Sequence, residues 1–142
     1  MSMRVLLADD SDLMRAAIVR LLKEEPSFEL VGEAASFAVT LQLTAALKPD
    51  VLLLDMHMRD EREYPPQLVK SQVLQNTKCI LAISVRIDEE AKALADSFGA
   101  EVLLDKTKLF SELIPAIRQF CLNRSIPKPA MPRGAEEASG PS

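Results

Sequence analysis

The chain has 142 residues, of which 48% are hydrophobic and 27% are charged, and its formal net charge at pH 7 is −4. This length is enough for one domain with a hydrophobic core and too short for two ordinary domains. The acidic balance argues against a nucleic-acid-binding surface over the whole chain. No apolar stretch approaches the roughly 20 residues that a membrane-spanning helix needs.

Short apolar segments alternate with segments of helical periodicity over residues 4–124. Uninterrupted apolar runs of this length are typical of parallel strands that are buried on both faces. The predicted strands are 5–8, 28–33, 51–54, 79–83 and 102–104, and the predicted helices are 12–25, 36–47, 66–74, 88–98 and 108–123. Right-handed crossovers between parallel strands then predict an α/β fold, a three-layer sandwich with helices on both sides of the sheet. The periodicity itself allows several strand orders.

Helix and domain ends are predicted from local signals. Ser11 or Asp12 can cap the first helix. The last helix is expected to bury one stripe, formed by Leu109, Phe110, Leu113, Ile117 and Phe120. Beyond residue 124 the sequence is rich in proline and glycine, so we expect a domain over 1–124 and a disordered tail or linker over 125–142.

Two cysteines, Cys79 and Cys121, stand far apart without the spacing of a metal site. This pattern favours two reduced core residues over a disulfide. Together with the absence of an apolar leader at the start of the chain, it predicts a cytoplasmic protein.

Four predicted strands end at residues that phosphate chemistry can use: Asp9 and Asp10, Asp55, Ser84, and Lys106. In an open parallel sheet, ligands bind beyond the carboxyl ends of the strands, so these side chains are expected to meet at one edge. Three neighbouring carboxylates repel one another and raise each other's pKa unless a cation neutralises them. Mg²⁺ prefers such oxygen ligands, and a carboxylate there can act as a nucleophile toward phosphorus.

Three motifs together resemble the receiver domain of two-component response regulators. They are RVLLADDS at 4–11, PDVLLLDMHM at 49–58 and GAEVLLDKT at 99–107. The segment FELVGEA at 28–34 is further similar to the receivers of nitrate-response and LuxR-type regulators. The resemblance covers residues 3–123 and implies a flavodoxin-like, five-stranded parallel sheet in the order 2-1-3-4-5, the order that is general for this fold.

The resemblance also assigns roles to residues. Asp55 matches the phosphoacceptor, and Asp9 and Asp10 match the acidic pair of a Mg²⁺ site. Asp10 and Asp55 would bind the ion through their side chains, and His57 would bind it through its backbone carbonyl.

Ser84 and Lys106 match the hydroxyl and the lysine that contact the phosphoryl group. The implied function is acceptance of a phosphoryl group from a histidine kinase or phosphotransfer protein, followed by a change of the protein-contact surface. Such a domain is not an enzyme acting on a separate substrate, although it catalyses its own phosphorylation and dephosphorylation. The implied partners are the kinase and a second copy, bound through the fourth helix, fifth strand and fifth helix. Neither nucleic acid nor a membrane is an expected partner of this chain.

Three departures from the family pattern keep alternatives open. Arg59 and Glu63 stand where the family usually has proline and glycine, and Leu103 stands where a switch aromatic is common. These departures favour a receiver-like interaction domain that is never phosphorylated, whereas the presence of all five chemical residues favours the phosphoacceptor. A fragment of a DNA-binding regulator that lacks its helix-turn-helix is a further alternative.

Overall fold

The computed structural model describes residues 2–122, so the tail expected over 125–142 and the domain boundary at 124 lie outside the described residues. Five parallel strands form one sheet in the order β2-β1-β3-β4-β5, as predicted. The strands are β1 Met3–Ala8, β2 Phe28–Ala34, β3 Val51–Asp55, β4 Cys79–Ser84 and β5 Val102–Asp105. The helices are α1 Asp12–Lys23, α2 Phe37–Leu47, α3 Pro66–Val73, α4 Glu89–Ser97 and α5 Leu109–Ala116.

The central strands are buried on both faces, which explains their uninterrupted apolar sequences. Alternate residues point to opposite sides of the sheet. On one side Val5, Leu7, Val51 and Leu53 pack with α1 and α5. On the other side Leu6, Leu52 and Leu54 pack with α2, α3 and α4. The predicted three-layer sandwich therefore has one hydrophobic core on each face of the sheet.

Three helices begin at a residue whose side chain accepts a hydrogen bond from the backbone amide three positions later. These residues are Ser11 before α1, Ser36 before α2 and Asp88 before α4. Each cap satisfies an amide that has no partner within its helix. Of the two residues that the sequence offers as the cap of α1, Ser11 and Asp12, the structure shows Ser11.

The last helix differs from the prediction in two respects. After Pro115, which has no amide hydrogen to donate, the regular helix passes into a wider π-helical segment, Ile117–Leu122. Leu109, Leu113 and Ile117 are buried as expected, but Phe110 is 75% exposed. Since Phe110 directly follows Leu109 along the helix, it points away from the core that Leu109 enters.

The expectation of two reduced cysteines is wrong, because Cys79 and Cys121 form a disulfide with their Cα atoms 5.6 Å apart. Cys79 opens β4 on the face that packs against α5, and the π-helical segment carries Cys121 back onto the same face. This contact depends on the path of the chain after Pro115, which the spacing of the two cysteines does not reveal. Among the described residues, none of the helices combines the length and apolar character that crossing a membrane requires.

Candidate functional site

The carboxyl ends of four strands share one backbone arrangement. Asp9, Asp55, Ser84 and Asp105 each accept a hydrogen bond from the backbone amide two residues later, at 2.8, 3.0, 3.1 and 2.9 Å. Such turns are characteristic of short polar side chains that end a strand. They fix these side chains at the same edge of the sheet and turn each loop away from it.

Lys106 joins two of these strand ends. Its ammonium nitrogen lies 2.9 Å from Asp9 Oδ2 and 3.4 Å from Asp55 Oδ2. The side chains of Asp9 and Asp55 are 0% and 5% exposed, and that of Lys106 is 12% exposed. Burial opposes the charge on Lys106, but the hydrogen bond to Asp9 and the charge of Asp55 outweigh it and raise the pKa of the lysine. The convergence expected for these three residues is therefore present.

Asp10 completes a cluster of three carboxylates. One oxygen from each of Asp9, Asp10 and Asp55 lies within 4.8 Å of the others. Mg²⁺ prefers carboxylate and carbonyl oxygens and water, with one or two carboxylates bound directly. The donor set fits such an ion, and these three aspartates could hold it.

The environment of Asp55 changes the pKa of its carboxyl group. Burial raises its pKa from 3.8 to about 6, against the hydrogen bond from the His57 amide and the charge of Lys106, while the charge of Asp9 raises it further. A divalent cation would counter the same repulsion and burial by stabilising the ionised form.

Ser84 ends β4 and His57 lies in the loop after β3, and the two residues make different contacts. Ser84 is 4% exposed, lies opposite Asp105 in the sheet and accepts a hydrogen bond from the Arg86 amide. The His57 amide holds Asp55 Oδ1, whereas its exposed imidazole lies 3.4 Å from a carboxylate oxygen of Glu61. His57 therefore faces the site through its backbone.

An open cleft of about 390 Å³ lies beside this cluster. His57, Ser84 and Arg86 form its wall on the side of the strand ends, and α4 forms the opposite wall through residues such as Ala91 and Leu94. The cleft therefore separates the loops after β3 and β4 from the helix that follows.

Two residues that support the site have no signature in the sequence. The Arg15 guanidinium donates to the backbone carbonyl of Asp9 at 2.6 Å and to Glu33 at 3.3 Å, which fixes the loop after β1. Asp60, in the loop after β3, accepts hydrogen bonds from two backbone amides at the start of α2. The contacts of Arg15 with Glu33 and of Asp60 with α2 join segments that only the folded sheet brings together, so spacing does not reveal them.

The comparisons with known proteins agree with this geometry. The family model of the response regulator receiver domain matches residues 5–118. The transcriptional regulatory protein LiaR of Bacillus subtilis is 32% identical over 117 residues, which are 81% of this chain and 54% of LiaR. A protein-glutamate methylesterase/protein-glutamine glutaminase of Anaeromyxobacter dehalogenans is 34% identical over 78% of this chain and 32% of its own length. This chain thus spans only about a third to a half of these two relatives.

Among solved structures, the signal receiver domain of the response regulator NarL from Mycobacterium tuberculosis is 31% identical, with a TM-score of 0.73. The match covers 83% of this chain and 94% of that domain. The family model covers well over half of the chain, and the fold and strand order agree with it. This chain therefore belongs to the family of response regulator receiver domains of two-component systems.

Proposed function

We propose that the chain is a phosphoacceptor that takes a phosphoryl group onto Asp55 from a phosphohistidine of a histidine kinase or phosphotransfer protein. An oxygen of the Asp55 carboxylate attacks phosphorus, and the bond between phosphorus and the partner's imidazole nitrogen breaks. The imidazole keeps the electron pair and takes up a proton, and Asp55 becomes an acyl phosphate. The observation that carries this proposal is the buried Lys106 ammonium in contact with both Asp9 and Asp55.

The orientation of the Asp55 carboxylate is fixed before a phosphoryl donor binds. The His57 amide holds one oxygen and Lys106 faces the other. Fixed orientation lowers the barrier to an in-line displacement because less freedom is lost on reaching the transition state. Lys106 also offsets the negative charge of the transferring oxygens in a buried position, where water screens it little.

We further propose that Asp9, Asp10, Asp55 and the His57 carbonyl hold Mg²⁺. When bound, the ion supplies charge that neutralises the carboxylates and the phosphoryl oxygens. The cluster of oxygens within 4.8 Å of one another supports this assignment.

Phosphorylation is proposed to change the contact surface through Ser84. The adduct adds a charge of roughly −1.5 to −2 at Asp55. Ser84, whose hydroxyl now accepts from the Arg86 amide, would turn to donate to that charge and carry the start of α4 with it. Leu103, which packs partly buried against the core beside α4, can follow only by repacking, since it has no hydroxyl. The same shift would alter the proposed homodimer surface of α4, β5 and α5.

The proposed partner contact lies next to the site. A small apolar pocket of about 80 Å³ between α1 and α5 is lined by Met14, Leu109 and Phe110 and reaches Lys106. Leu13, in the first turn of α1, and Phe110 are 86% and 75% exposed. Exposed apolar side chains beside a reactive centre are typical of interaction surfaces, and we assign this one to the helix that carries the phosphohistidine. A cytoplasmic location is proposed because a phosphohistidine made from ATP would be available there.

Intact-mass analysis after incubation with acetyl phosphate tests the phosphoacceptor role. We expect a Mg²⁺-dependent adduct of one phosphoryl group in the wild type and none in Asp55→Asn. Asp50→Asn is a matched control, because Asp50 accepts from the Arg4 amide at the opposite edge of the sheet and should leave labelling unchanged. Wild-type protein that takes up no phosphoryl group would favour the alternative, an interaction domain that acts without phosphorylation.

A further inference from the structure

We infer that Asp60 is a positioning residue for the metal site, acting through the loop 56–60, which follows Asp55 in the chain and is hydrogen-bonded at its end to the start of α2. This inference rests on the proposed function, since it concerns the Mg²⁺ ion that function uses. The Asp60 carboxylate accepts from the Phe37 amide at 2.9 Å and from the Ala38 amide at 3.0 Å. In sequence, Asp60 lies 23 positions after Phe37 and 22 positions after Ala38.

The contact uses both oxygens of Asp60 on one helix end. The first amides of a helix have no partner within it and carry the positive end of its dipole. Ser36 already caps the Val39 amide of α2, so Asp60 supplies the partners of the two amides that Ser36 leaves open. A carboxylate at this place is bonded twice and electrostatically favoured, which makes it a firm anchor for the loop.

The loop between the two anchors contains the proposed backbone ligand. At its start the His57 amide is bonded to Asp55 Oδ1. Met58 is 3% exposed and packs in the core beside α2. At its end Asp60 is fixed to α2, so the His57 carbonyl lies in a segment held on both sides.

This loop has unusual need of such an anchor. The proline and glycine that usually restrict the chain after the phosphoacceptor in the family are replaced by Arg59, within this loop, and by Glu63, just beyond it. The imidazole of His57 is exposed and contributes only a distant contact with Glu61. Without Asp60, the segment after Asp55 would keep its apolar contact through Met58 and the bond from the Met56 amide to the Ile83 carbonyl. It would lose the two side-chain bonds that fix its end to α2.

The test compares Asp60→Ala and Asp60→Asn with Ser36→Ala. Ser36→Ala removes a cap from the same helix end without touching the loop, so it controls for loss of α2 stability. Mg²⁺ alone is titrated into each purified chain by calorimetry, thermal unfolding is followed by circular dichroism, and labelling by acetyl phosphate is measured over a range of Mg²⁺ concentrations. Asp60→Asn retains an acceptor and the side-chain volume, which keeps the test valid if the alanine variant unfolds.

Asp60→Ala is expected to bind Mg²⁺ about 10-fold more weakly, as for other residues that orient a metal ligand. Its labelling rate should approach the wild-type rate at saturating Mg²⁺, and Asp60→Asn should be intermediate. Ser36→Ala should bind Mg²⁺ like the wild type even where its melting temperature falls as far. Wild-type Mg²⁺ affinity in both Asp60 variants overturns this inference alone, whereas a wild-type chain that binds no Mg²⁺ overturns the metal site of the proposed function together with it.

Discussion

The ammonium group of Lys106 lies 3.4 Å from the carboxylate of Asp55, and both side chains are largely buried. This ion pair joins the ends of β3 and β5, which are far apart in sequence, at one edge of the sheet. Asp9, at the end of β1, is the second partner of the lysine. One ammonium group thus partly neutralises two buried carboxylates, and the net charge of the buried site depends on it.

Replacing this cation should destabilise the protein. Lys106→Met is expected to lower the unfolding free energy at pH 7 by about 3 kcal/mol, because it leaves buried carboxylates without their partner. The loss should be smaller at pH 5, where Asp55, with its pKa of about 6, takes up a proton and is neutral. Urea unfolding at the two pH values measures both effects. Labelling by acetyl phosphate should slow by about 100-fold or more.

Lys92→Met is the control for that substitution. Lys92 pairs with Glu89 on α4, and both side chains are well exposed. Exposed pairs of this kind contribute less than about 1 kcal/mol. A loss in Lys92→Met equal to that in Lys106→Met would show that removal of any positive charge, not of the buried pair, causes the change.

The pKa of Asp55 predicts how the stability of the metal-free protein depends on pH. The folded state binds the Asp55 proton more tightly than the unfolded state, since the pKa is about 6 when folded and 3.8 otherwise. The Asp55 contribution to stability is therefore most favourable below pH 4 and is lost as the pH rises to about 6. The total change in unfolding free energy is up to about 3 kcal/mol, at 1.36 kcal/mol for each pH unit between 3.8 and about 6.

Asp55→Asn removes this titration and provides the measurement. In EDTA, the variant should match the wild type near pH 4 and be the more stable protein above pH 6.5, by about 2–3 kcal/mol. The difference between the two unfolding curves removes the contribution of titrating groups that do not interact with Asp55. A difference that stays constant from pH 4 to pH 7 would contradict the raised pKa.

The architecture follows from the sequence because its signals are local. Apolar runs such as 51–54 identify buried strands, and Ser11 marks a helix start by its own hydrogen bond. The strand order, by contrast, came from the family resemblance, because periodicity does not specify which strands are neighbours. Within the site, Asp9, Asp55 and Lys106 were predictable since every parallel strand ends at the same edge.

What the sequence could not predict depends on contacts between distant segments. Asp60 lies in a charged loop, and only the fold brings its carboxylate to the start of α2. The bond between Cys79 and Cys121 requires the π-helical segment after Pro115. Spacing predicts a buried position for Phe110, because it defines a helix face only to within a residue or so. In the structure, Phe110 lies at the exposed edge of that face.

The disulfide is expected to stabilise the domain substantially. It joins residues 42 positions apart. Closing a loop of that length lowers the entropy of the unfolded chain and so raises the free energy of unfolding by about 4 kcal/mol. The Cys79→Ala/Cys121→Ala double variant should therefore melt roughly 10 °C or more below the oxidised wild type. Differential scanning calorimetry and a free-thiol assay together test this.

Reduction provides the internal control for the double variant. Both cysteines are at most 2% exposed, so a thiol reagent should react slowly with the folded protein and rapidly after addition of urea. Fully reduced wild type should melt close to the double variant. Free thiols in the untreated folded protein would mean that the bond does not form, and the expectation of reduced core cysteines would then return.

The exposed apolar side chains on α1 and α5 predict a separation between two kinds of phosphoryl donor. Phe110→Ser and Leu13→Ser should each slow phosphotransfer from autophosphorylated histidine kinases by about 10-fold, as expected when a contact worth about 1.4 kcal/mol is lost. Labelling by acetyl phosphate should remain unchanged, because this small donor needs no docking surface. Leu74→Ser is the control, since Leu74 is 43% exposed but follows α3 on the other face of the sheet. Equal slowing of phosphotransfer in all three variants, or equal slowing with both donors, would place the partner elsewhere. Slower phosphotransfer only in Phe110→Ser and Leu13→Ser would locate the phosphohistidine helix between α1 and α5, directly above Lys106.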